Sequence, residues 1–133
     1  MTRLTRSLAC GLAVSLAALL LPAYGHGSWS PEHGGTMGDA LDEISHEYVF
    51  DKGGMRVYLS DHGSPAELPK SATGKVWRTR AGKTQEFGLK NTGAYLQAKS
   101  LALQPGDLVE SRVDFTPRRH SNSQLKIGPE HLK

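Results

Sequence analysis

Thiol chemistry is the first thing this chain lacks. Its single cysteine, Cys10, sits in an apolar stretch near the N-terminus. Past that stretch the chain can form no disulfide, no thiolate metal site and no cysteine nucleophile. A surplus of one charge is also missing. Sixteen Lys and Arg stand against 13 Asp and Glu, for a net charge of +3. Losing Arg3 and Arg6 with a leader would bring it to +1. A near-neutral chain offers no electrostatic case for nucleic acid or an anionic membrane surface. There is no GxSxG elbow, no HExxH and no glycine loop for phosphate, so the residues read as a non-enzyme. No helix of ordinary length, internal repeat or low-complexity tract is legible.

The one long apolar run, Leu8 to Leu21, is shorter than the roughly 20 residues a helix needs to span a bilayer. Arg3 and Arg6 precede it and Ala23-Tyr24-Gly25 follows as a small-x-small site. This is the pattern of a cleavable secretory signal over residues 1–25, which implies a periplasmic protein with no stable membrane insertion after cleavage. Residues 26–43 (HGSWSPEHGGTMGDALDE) are glycine-rich and polar without a period. They are expected to form a flexible arm. Residues 44–133 are expected to form one domain stabilised by a hydrophobic core alone.

That domain is organised around Ile44 to Pro65. Ile44, His46, Tyr48 and Phe50 alternate with Ser45, Glu47 and Val49, and Met55, Val57 and Leu59 alternate with Arg56, Tyr58 and Ser60. Period-two alternation marks strands with one buried face. Asp51-Lys52-Gly53-Gly54 between them is a hairpin turn, and Asp61-His62-Gly63-Ser64-Pro65 is a second turn. Further strands are expected over 74–80, 84–90, 95–103 and 108–115, with a short seventh over 123–127 after a basic loop at 116–122. Short strands at about ten-residue spacing predict an all-β fold: a single antiparallel sandwich, immunoglobulin-like or cupredoxin-like, of about seven strands.

What the chain does have is histidine: His26, His33, His46, His62, His120 and His131. Cleavage after Gly25 would make His26 the first residue. Its α-amine and Nδ1 could then chelate a metal, with a further imidazole as third nitrogen. Nitrogen donors in tetragonal geometry suit Cu(II). A free solvated tail is the alternative. His33 and Met37 put an imidazole and a thioether on one loop, a pair that suits Cu(I), or else a solvated loop with a stray methionine. His46 shares a face with Tyr48 and Phe50, so it is either a ligand or a core-edge histidine with satisfied nitrogens. His62 lies in a turn. His120 and His131 fall in basic or terminal segments and are expected to be solvated.

Three elements carry a resemblance: His33-Gly34-Gly35 near the start, Val57 to Pro65 (VYLSDHGSP), and Thr73-Gly74-Lys75-Val76. Between about His33 and Val113 the chain resembles small periplasmic proteins and adaptor N-terminal segments associated with bacterial copper and silver efflux. The resemblance implies a small, non-catalytic β-sandwich that handles metal, and it points to His33 and His62. The long helical hairpin of a full adaptor is not legible. The expectation is therefore a periplasmic accessory protein that binds copper through His26, His33, Met37, His46 and His62. It would buffer the ion or deliver it to an envelope efflux complex. The alternative is a β-sandwich module that docks a protein partner, for instance through the basic loop containing Arg118-Arg119-His120, and takes no metal.

Overall fold

The computed structural model describes residues 29–133. The expected signal over residues 1–25, and also His26, lie outside the described residues. Among the described residues there are ten strands: β1 (Thr36–Met37), β2 (Asp39–Ala40), β3 (Ile44–Asp51), β4 (Gly54–Asp61), β5 (Ser64–Pro65), β6 (Thr73–Arg80), β7 (Lys83–Asn91), β8 (Leu96–Ala98), β9 (Leu108–Thr116) and β10 (Arg119–Lys126). A 3-10 turn, Pro129–Leu132, follows. Among the described residues no helix is long and apolar enough to cross a membrane.

The chain is all-β and antiparallel, but not the expected seven-stranded sandwich. Hydrogen bonding runs without a break in the order β1-β3-β4-β8-β7-β6-β9-β10-β2, with β5 added to β4, and the sheet nearly closes into a barrel. Two features join what would otherwise be separate sheets. Strand β7 pairs with β6 from Lys83 to Leu89 and then with β8 at Lys90 and Asn91. At the opposite seam, β1 pairs with β3 while β2, one residue further on, pairs with β10. Residues 36–40 thus stitch the first and last long strands together.

Gly38 is the crossing point of that stitch. Its N–H donates to the His46 carbonyl at 2.9 Å. A Cβ there would lie 2.3 Å from Ser123 Oγ and 2.6 Å from Tyr48 Cε2, so only glycine lets the backbone pass this close. The expected arm is therefore built into the barrel wall over residues 36–40.

Local patterning explains the hairpins. Strand β3 pairs with β4 from Ile44↔Asp61 to Asp51↔Gly54, with the reversal where the glycines predict it. Tyr48, Met55, Val57, Val76, Leu96, Val109, Val113 and Ile127 fill the interior. Each long strand alternates inward and outward, so these side chains share one core. The expected strand over 95–103 shortens to Leu96–Ala98, because the chain then leaves the sheet: Leu101 N–H bonds to the Gly53 carbonyl at 3.0 Å. The expected basic loop at 116–122 is instead a hairpin turn, with Arg119 to Lys126 paired to β9. Arg118, Arg119 and His120 project from it, exposed.

Candidate functional site

One long strand, β3, separates two polar constellations. Ile44, His46 and Tyr48 point into the barrel. Ser45 and Glu47 point outward and are buried all the same. Glu47 is covered by the segment Trp29–Gly35, a strap lying across the outer face.

Glu47 holds the strap in place. Its Oε1 accepts the backbone N–H groups of His33 (2.8 Å) and Gly35 (2.9 Å). Its Oε2 accepts the N–H of Glu32 (3.1 Å) and the Nδ1–H of His33 (2.9 Å). Burial pushes the carboxyl up, but the His33 imidazole and the three backbone donors outweigh it and hold Glu47 below the usual carboxylate range. Because a carboxylate only accepts, His33 must carry its proton on Nδ1, which leaves the Nε2 lone pair free in the neutral ring. The imidazole also stacks on Tyr58, with centroids 3.7 Å apart and planes 7° from parallel. Met37 sits directly across from Glu47 in the β1–β3 register. At the far end of the strap, Trp29 packs on Gly63 in the β4–β5 turn. That glycine has φ +82°, and a Cβ on it would sit 2.7 Å from the indole.

Strap and barrel enclose a pocket of about 400 Å³. Trp29, Glu32, His33, Met37, Glu47 and Tyr58 contribute to its lining. Of the expected ligands, His33 and Met37 meet here. His62 does not line the pocket. It is exposed in the turn beside Gly63 at φ +48°, its Nδ1–H bonded to Asp61 Oδ1 at 2.6 Å. His46 is removed from the set altogether. It lies on the other face of β3, fully buried, with Nδ1 bonded to Ser111 Oγ at 2.7 Å and Nε2 to Ser121 Oγ at 2.8 Å. Both nitrogens are used, and burial lowers its pKa to about 4 against the opposing pull of Asp42. His26 lies outside the described residues. Among the described residues, no group of three or more His, Cys, Asp or Glu side chains is placed to hold a metal ion.

Glu47, Trp29 and Tyr58 are the residues sequence reasoning passed over. A glutamate on the outer face of a strand reads as solvated, and nothing local tells that a strap 14 residues upstream will cover it. Trp29 did carry a signal: an indole within a Gly- and Pro-rich segment needs a surface to pack on. The chain matches no family model, no curated protein and no solved structure.

Proposed function

We propose that this chain is an exported accessory protein of the cell envelope that binds a soft metal ion at His33 and Met37, copper in its monovalent form, and buffers it or hands it to an efflux complex. One observation carries the reading. Glu47 accepts the Nδ1–H of His33, which leaves Nε2 without a proton in the neutral ring, and His33 and Met37 both line the pocket. A carboxylate that orients an imidazole in this way is a common outer partner of metal-binding histidines. One nitrogen and one sulfur donor suit a soft, low-coordinate ion better than Cu(II), which favours several nitrogen and oxygen donors. The histidine-rich composition and the resemblance of the His33-Gly34-Gly35 and Val57–Pro65 segments to copper and silver efflux proteins point the same way. When bound, the ion would be the protein's cargo, while the chain's own part is to fix the His33 ring through Glu47 and its stacking on Tyr58.

Titration with Ag(I), and with Cu(I) under reducing conditions, tests this. The expected dissociation constant is tighter than about 10 µM. His33→Gln and Met37→Leu should each weaken it about tenfold or more. An extra residue placed before His26 should leave it unchanged. Binding weaker than about 10 µM for both ions overturns the metal reading.

A further inference from the structure

We infer that the pocket under the strap also takes a small organic cation, an amine with an apolar body, seated against Trp29 with its charge toward Glu32 and Glu47. This does not rest on the metal reading, which uses His33 Nε2 and the Met37 thioether.

Volume is the first reason. About 400 Å³ is far more than a bare ion fills and falls in the range of small-molecule sites. Charge is the second. The titratable side chains of the lining are Glu32, His33, Glu47 and Tyr58, and no lysine or arginine lines the pocket among the described residues. The Glu47 carboxylate is 5 % exposed and held ionised by neutral backbone N–H groups and an imidazole, not by a permanent cation. A fixed negative charge beside a partly enclosed cleft favours a positive guest, because the surrounding dielectric is below that of water. Shape is the third. Tyr58 is already engaged: His33 covers its ring and the Arg56 guanidinium lies 5.8 Å from its centroid. Trp29 rests on Gly63 yet remains 38 % exposed, so indole surface is left for a guest. Indole is the aromatic side chain that attracts cations most strongly. Leu59, Pro65 and Ala66 supply apolar wall for the body of the amine. The same charges would repel an anion, and a neutral guest would gain only the apolar contacts.

The probes are benzylamine, benzyl alcohol and benzoate, added to the full-length mature chain. The readout is the indole N–H resonances of the two tryptophans, Trp29 and Trp77. Benzylamine is expected to shift Trp29 and leave Trp77, on β6, in place, and to bind about tenfold or more tighter than benzyl alcohol. Glu32→Gln, at an exposed position where folding should not suffer, should narrow that gap several-fold. Met37→Leu should weaken Ag(I) while keeping benzylamine, which separates failure of this inference from failure of the metal reading. Trp29 unmoved at about 10 mM benzylamine, benzyl alcohol or benzoate binding as tightly as the amine, or a gap unchanged in Glu32→Gln would each overturn it.

Discussion

Asp42 sets the position of the proton on His46 through the hydroxyl of Ser121. Asp42 Oδ1 accepts the Ser121 O–H at 2.8 Å. A hydroxyl has one proton to give, so Ser121 must in turn accept from His46 Nε2–H at 2.8 Å. Nδ1 is then bare and accepts from Ser111 O–H at 2.7 Å, and Ser111 accepts from the Tyr48 hydroxyl at 2.5 Å. One carboxylate at the barrel seam thereby orients a chain of hydroxyls that crosses the interior. Burial pushes the Tyr48 phenol up to about 12, so it stays a donor at any ordinary pH.

Replacing Asp42 by Ala should therefore cost more than one contact. Ile44 N–H (3.0 Å), Ser121 O–H and Asn122 N–H (2.7 Å) all lose their acceptor. The expected loss is about 2 to 3 kcal/mol in urea unfolding. Imidazole nitrogen shifts should change from a pure Nε2–H form to a mixture of tautomers. A variant that keeps the Nε2–H form would show that Asp42 does not direct the chain.

The same histidine sets a pH dependence. Its folded value of about 4 lies below the ordinary 6.5. Between those values the unfolded chain takes up a proton that the folded chain refuses, so stability falls as pH drops from about 6.5 to about 4. The full loss is roughly 3 kcal/mol. His46→Gln, less stable throughout, should be flat from about pH 6.5 to about 4.5. Parallel profiles for the two proteins would remove His46 as the cause. Below about pH 4.5 a second loss is expected in both. Glu47 is held low by His33 and the strap, and Asp107 by Arg80, so the unfolded carboxyls take up protons first.

Gly38→Ala tests the seam. Its methyl would meet Ser123 Oγ and the Tyr48 ring well inside contact distance. Relief means moving buried groups, at about 1 to 3 kcal/mol. Hydrogen exchange should quicken first at Gly38 and Leu41, whose N–H groups bond to the His46 and Asn122 carbonyls across the seam. Uniform quickening over the whole barrel would mean that the seam does not open separately.

Glu47→Gln should loosen the strap and spare the barrel. The amide keeps one accepting oxygen where the carboxylate had two, so the four donors of Glu32, His33 and Gly35 cannot all be served. Exchange at the His33 and Gly35 amides is expected to rise about tenfold or more, with Val57 and Val113 unaffected. Ag(I) affinity should fall with it, by about tenfold to a hundredfold. Unchanged protection at His33 would mean that the strap is held by Trp29 on Gly63 and not by the carboxylate.

The hairpin Ile44–Asp61 was legible because its causes are local: alternation on each strand and glycines at the reversal. The inward row of β9 was legible for the same reason, with Val109, Val113 and Phe115 at even spacing. A polar interior was half legible. Ser111 interrupts that row, and Ser121 and Ser123 sit in line with Leu125 on β10, all buried. Small hydroxyls at inward positions imply a polar partner, and His46 is the residue of matching parity on β3.

Local pattern alone therefore determined the strands, their faces and the tight turns, since these depend on residues a few positions apart. Closure and the site were decided only by the tertiary structure. Ser111 and Ser121 lie 65 and 75 residues from the imidazole they bracket. The strap meets Glu47 from 12 to 15 residues upstream. Such pairings depend on which distant strands the closing sheet sets side by side, and residue spacing along the chain carries no record of that.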